Sequence, residues 1–125
     1  IGNQYHLEIF GEELFPDLLF LNRELNCLVV VELKKGAFKP AYIGQLQTYM
    51  KVLDDKVRKP HENPTIGILL CKSANKAFVE YVIRDYNHPM GVATYKTAED
   101  MSEKLRKALP DMDEMRKLLT DDSDI

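Results

Sequence analysis

The chain has 125 residues, 45% of them hydrophobic and 30% charged, the balance of one ordinary globular domain rather than of a disordered segment. Its 17 basic and 20 acidic side chains leave a net charge of −3, which excludes a uniformly basic nucleic-acid wrapper but leaves room for a local basic face. No apolar run approaches the roughly 18–20 residues that a bilayer crossing requires, and the two cysteines, Cys27 and Cys71, are too few for a disulfide framework.

Residues 4–10 (QYHLEIF) alternate, with Tyr5, Leu7 and Ile9 on one side and His6, Glu8 and Phe10 on the other, which predicts a strand with one partly polar face. Residues 11–13 (GEE) read as a turn. The next strand is expected over 14–22: its run LFPDLLFL is apolar on both sides except at Asp17, the pattern of a central strand. After a polar turn at 22–26 (NRELN), residues 27–34 (CLVVVELK) are largely β-branched and predict another buried strand, which stops at Lys35-Gly36. Three strands joined by short turns predict an antiparallel meander. Cys27 and Cys71 both lie in or beside apolar runs and read as free buried thiols of a reducing, cytoplasmic protein.

The period then changes. Tyr42, Gln45, Leu46, Tyr49 and Leu53 recur at helical spacing, which predicts a helix over 40–54 with Pro40 in its first turn. His61-Glu62-Asn63-Pro64 breaks that pattern, and residues 65–71 (TIGILLC) predict a fourth strand. Strand, helix and strand in that order imply a right-handed crossover onto the same sheet. Phe78, Tyr81 and Val82 share one side of a helix expected over 76–85, and residues 90–95 (MGVATY) read as a short strand. Thr97 followed by Asp100 opens a further helical stretch over 97–119, in two pieces that meet at Pro110. The expected class is α/β, a central mixed sheet flanked by helices.

Charge is unevenly spread. Residues 34–59 carry seven bases against two acids, whereas residues 97–125 carry five bases against nine acids. A solvated helix face explains the first cluster as readily as a phosphate-binding surface does.

More informative is charge where burial is expected. Asp17 interrupts one apolar strand and Glu32 stands near the end of another. Glu32 and Lys34 are two residues apart, so both side chains leave the same face of their strand. In an antiparallel pair the end of 27–34 returns beside the start of 14–22, which brings Glu32 to Asp17. Two neighbouring carboxylates repel unless a cation sits between them, and oxygen-only ligation favours Mg²⁺ (or Mn²⁺) with several retained waters. Lys34 cannot ligate that ion but can orient or deprotonate a water beside it. A Lewis acid, an activated water and a positive group are the equipment for phosphodiester hydrolysis. Gln45 shares the helix side that covers the sheet, where its amide needs a partner: Lys34, a water, a phosphate or simply the backbone.

The order Pro16-Asp17, Glu32-Leu33-Lys34 and a following glutamine-bearing helix resembles the PD-(D/E)XK motif of restriction-endonuclease-like nucleases. More narrowly, the stretch from QYHLEIF to TIGILLC, continued by Val79-Glu80-Tyr81 and by Pro89 through Ala93, is similar to the C-terminal nuclease domain of bacterial YhcG-like proteins. The resemblance implies a restriction-endonuclease-like core over residues 1–119, with 120–125 as an acidic flexible tail, and metal-dependent cleavage of nucleic acid, expected to be DNA. It matches Asp17 and Glu32 to the metal ligands, with the carbonyl of Leu33 as a further ligand, Lys34 to the catalytic lysine and Gln45 to the helix glutamine. Lys35, Lys39 and Lys51 are the expected phosphate contacts. Such nucleases place a helix, often acidic, before the first strand, and a further domain precedes the nuclease part. The chain is therefore expected to lack that helix, to derive from a longer protein, and to cover an exposed face by self-association.

Other residues receive plainer readings. His6 and Glu8 share a strand face and are expected to make a structural hydrogen bond, with Glu8 as an alternative secondary acid. His61 and His88 sit in proline-containing loops and read as solvated, and Tyr42 and Tyr49 as core before base-stacking groups. Ser73, Ser102 and Ser123 lack the partners of a serine hydrolase. Two rivals to the nuclease remain: a nucleic-acid-binding module that kept the core without turnover, and a protein-interaction domain binding neither metal nor DNA.

Overall fold

Cys27–Leu33 (β5), the apolar and β-branched run, lies at the centre of a five-stranded sheet, and every one of its residues is buried. The computed structural model describes residues 2–3 and 6–94. Gly2–Asn3 (β1) and Leu18–Asn22 (β4) lie antiparallel on one side of β5. Asn63–Cys71 (β6) and Met90–Thr94 (β7) lie parallel to it on the other, so the spatial order is β1-β4-β5-β6-β7. This is the mixed sheet of the α/β class expected from the sequence.

Pro40–Lys56 (α1) makes the crossover from β5 to β6 and packs on both strands. Pro40 stands in its first turn, where a missing N–H costs nothing. Thr65 closes the far end: its N–H and hydroxyl both donate to Asp54 Oδ1, at 2.9 and 2.7 Å. Lys76–Ile83 (α2) follows β6, with Asn75 accepting the Phe78 N–H at its N-terminus. Among the described residues no helix is long and apolar enough to cross a membrane.

The pleat sorts the core into two faces. Leu28, Val30, Leu69 and Cys71 meet Ile43, Leu46, Met50 and Leu53 of α1, while Val29, Val31, Leu33, Ile66, Ile68 and Leu70 form a second buried cluster. Gly67 is on the α1 side, opposite Val30 in register. A Cβ there would run into the Met50 side chain and the Leu46 Cγ, so the glycine is what lets the helix lie this close to the sheet. Gly67→Ala is expected to destabilise the protein by about 1–3 kcal/mol through overpacking, measured as a lower midpoint of denaturant unfolding at unchanged slope. Both thiols are buried, and burial pushes Cys71 up to about 11, the value of an inert structural cysteine.

The first three expected strands are arranged differently from the meander. Leu7–Ile9 (β2) and Glu12–Leu14 (β3) form a separate two-stranded hairpin, in place of one strand over 4–10 followed by a turn at 11–13. Phe10 (φ 52°) and Gly11 (φ 82°) are its two-residue turn, with the paired positive angles that match a hairpin's right-handed twist. The strand expected over 14–22 is split because Pro16 has no N–H for a ladder, so pairing resumes only at Leu18. The helical stretch expected over 97–119 and the tail at 120–125 lie outside the described residues.

Candidate active site

The register of β4 on β5 pairs Leu18 with Val31, so one step further on Asp17 comes opposite Glu32. Two hydrogen bonds lock that juxtaposition. The Asp17 N–H donates to Glu32 Oε1 at 3.0 Å, and the Leu33 N–H donates to Asp17 Oδ2 at 2.9 Å. Each carboxylate is thus fixed by the backbone of the other strand, and the two carboxyl groups also share a hydrogen bond. Glu32 is 3% exposed. Burial first, and then the neighbouring Asp17 charge, raise its carboxyl to about 8, although the Asp17 amide and Lys34 pull the other way. Burial and mutual repulsion thus favour a proton or a cation on the pair over two bare charges.

Lys34 follows β5 directly, and its N–H donates to the Leu70 carbonyl at 2.8 Å, which keeps it in step with the sheet. Its Nζ donates to Gln45 Oε1 at 3.3 Å and lies 4.7 Å from the centre of the Tyr42 ring. Gln45 Nε2 in turn donates to the Tyr49 hydroxyl at 2.9 Å. Burial, followed by the charges of Glu32 and Asp17, pushes Tyr49 up to about 12, while its bond to Gln45 works against the rise. A neutral hydroxyl thus fixes the amide of Gln45, and that amide fixes the ammonium of Lys34.

A cleft of about 410 Å³ opens over these groups, with Phe15, Lys35, Gly36 and Tyr42 completing its wall. All five residues expected at the centre of the site, Asp17, Glu32, Leu33, Lys34 and Gln45, line it. A second cavity of about the same volume lies at the opposite ends of the strands, around Leu25, Asn63, Tyr86 and His88, and is lined by no carboxylate.

Several expectations change in detail. Gln45 is exposed at the margin of α1 rather than buried on its covering side, which is made by Ile43, Leu46, Met50 and Leu53. A polar amide can stay there because it overlooks the end of the sheet instead of its middle. Lys39 and Lys51 are exposed but do not line the cleft, whereas Lys35 does. His6 pairs with Glu13, its Nε2 3.3 Å from Oε1, because the hairpin turns Glu13 back towards it. His61 and His88 are exposed, as expected.

Two wall residues carry more of the site than their sequence reading allowed. Tyr49 was legible as a partner for Gln45, since residues four apart on a helix are neighbours. Phe15 carried no signal, because its place depends on the hairpin. Beyond β6 the backbone stays paired with the start of the loop that follows β5: the Lys72 N–H donates to the Gly36 carbonyl at 2.9 Å.

The donor set bears on what could be held here. Among the described residues no three His, Cys, Asp or Glu side chains gather for a metal. The site offers two fixed carboxylates and the Leu33 backbone, all hard oxygen donors. Such a set fits a small divalent cation that keeps most of its coordination for water or phosphate oxygens, and like charges held this close need a proton or a cation between them.

The family model of the YhcG PDDEXK nuclease domain matches residues 1–110. A curated protein of Escherichia coli (strain K12), named "Putative nuclease YhcG", is 32% identical over 96 residues, which are 77% of this chain and 26% of that protein. The chain thus spans about a quarter of the length of that relative. Among solved structures, EndoMS in apo form aligns with a TM-score of 0.49 and 17% identity over 72% of this chain and 36% of its own. With the family model covering nearly the whole chain, this protein belongs to the YhcG PDDEXK nuclease domain family.

Proposed function

We propose that this domain hydrolyses phosphodiester bonds in DNA with the help of Mg²⁺ or Mn²⁺. The observation that carries the reading is the reciprocal Asp17–Glu32 bonding across β4 and β5, with Lys34 on the same strand face and one open cleft above all three. The Asp17 and Glu32 carboxylates hold the ion, with the Leu33 carbonyl as a further ligand. Once bound, the cation supplies Lewis-acid charge for the phosphate oxygens. Lys34 Nζ orients the attacking water and stabilises charge on the phosphate, and the Gln45 amide, itself held by Tyr49, aims the ammonium. Lys35, Lys39 and Lys51 contact backbone phosphates. In the longer protein, a further domain presents the substrate.

Calorimetric titration of the chain with Mn²⁺ and Mg²⁺, paired with cleavage of linear, nicked and branched DNA with and without chelator, tests this directly. Saturable binding of the ion and cleavage that stops on chelation are expected. DNA binding without cleavage in either metal would move the assignment to a non-catalytic module, and the absence of both heat and DNA binding would end it.

A further inference from the structure

The cleft is lined by two cations, Lys34 and Lys35, and also by Phe15, which follows the β2–β3 hairpin directly and is 51% exposed despite its size. One side of the Phe15 ring is occupied: His6 stacks on it with centroids 4.9 Å apart and planes within 14°. The His6–Glu13 contact at 3.3 Å holds the imidazole in that position from across the hairpin. Phe15 is therefore a braced aromatic surface, not a loose side chain, and it borders the space where Asp17 and Glu32 sit. The same hairpin exposes Glu8, Glu12 and Glu13. A phosphate backbone is attracted to Lys34 and Lys35.

From this geometry we infer that Phe15, backed by His6, is a stacking platform for an unpaired nucleobase next to the scissile phosphate. The preferred substrate is then single-stranded or splayed DNA rather than continuous duplex. The inference rests on the reading of Asp17 and Glu32 as the phosphodiester-cleaving centre, since that fixes where the phosphate lies. A base can present its face to Phe15 only after leaving its own stack. In an intact duplex the base faces are covered. Lys34 and Lys35 take the strand's backbone while Phe15 takes its base.

The test uses the 125-residue chain with Ca²⁺ in place of Mg²⁺ and a short single-stranded oligonucleotide carrying 2-aminopurine, followed by fluorescence. Quenching on binding is expected, with single strands preferred to a blunt duplex of the same length. Phe15→Ala should weaken single-strand binding about tenfold. Phe15→Leu, which keeps apolar bulk without a π-face, should resemble Ala, and Phe15→Trp should restore binding. Circular dichroism confirms that each variant is folded, and the Leu and Trp variants decide the matter if the Ala variant is not. Single-strand binding unaltered in Phe15→Leu, equal losses for single strand and duplex, or a wild-type preference for duplex would each overturn the inference. Cleavage in Mn²⁺ is scored separately. A protein that cleaves duplex and single strands alike sinks the platform and keeps the nuclease; quenching that depends on Phe15 without cleavage keeps the platform and sinks the nuclease.

Discussion

Glu32→Gln is expected to lower metal-dependent DNA cleavage by at least about 10³-fold, because losing the ion's charge at the phosphate removes several kcal/mol of transition-state stabilisation. The substitution preserves shape. The amide oxygen of glutamine can still accept the Asp17 N–H that Glu32 Oε1 accepts at 3.0 Å, so strand pairing survives. What disappears is a negative charge in a position that is 3% exposed. Without metal that charge is a burden, since it is desolvated and faces Asp17. The metal-free variant should therefore be at least as stable as the parent at low pH, gain on it as pH rises from 4.5 to about 8, and keep that advantage above. Asp17→Asn should reproduce the loss of cleavage, because its oxygen can still take the Leu33 N–H. Cleavage rates alongside thermal melts in chelator check both halves. A variant that is folded, stable and fully active would remove the pair from the mechanism.

The second large effect concerns pH. Glu32 moves from an ordinary 4.5 to about 8 in the folded, metal-free protein. Below about 4.5 the group is protonated in both folded and unfolded chains and contributes no pH dependence. Between 4.5 and 8 the unfolded chain has released its proton while the folded one keeps it. The folded state then binds more protons, so stability falls as pH rises through this window and levels off above it. Metal binding runs in the opposite direction, because the ion requires the deprotonated pair. Apparent Mn²⁺ affinity should rise close to tenfold per pH unit up to about 8 and then flatten. Calorimetry at pH 7 in two buffers of different ionisation enthalpy should record about one proton released per ion bound. Pre-steady-state cleavage should climb over the same range, and Tyr49, at about 12, should add no step below pH 10. Mn²⁺ affinity that is flat between pH 6 and 8 would contradict a raised Glu32 carboxyl in the metal-free pair.

Much of this arrangement was legible before any coordinates. Cys27–Leu33 declares itself a central strand because seven successive apolar or β-branched residues, apart from one glutamate, cannot be satisfied on a half-solvated surface. Pro40 marks the start of α1, and the helical period that follows survives in Leu46, Tyr49 and Leu53. The parity of 32 and 34 places Glu32 and Lys34 on one face without further information. The antiparallel return from β4 to β5 then brings Asp17 opposite Glu32.

The hairpin was not legible, and the reason is local. Residues 4–10 alternate as one strand would, and Phe10 is a poor residue for a left-handed turn; its φ of 52° is sustained by the pairing of Leu7–Ile9 with Glu12–Leu14, not by its own preference. With the hairpin misplaced, Phe15 and the His6–Glu13 contact had no visible place.

Residue chemistry and period alone thus determined the α/β class, the buried centre of the sheet and the face shared by Glu32 and Lys34, because those follow from burial and from the two-residue repeat of a strand. The folded chain decided which backbone N–H groups hold the two carboxylates, that Gln45 stands at the helix margin between Lys34 and Tyr49, and that Phe15 lines the same cleft as Lys34 and Lys35. These depend on register and on contacts between residues far apart in the chain, which local preferences do not encode.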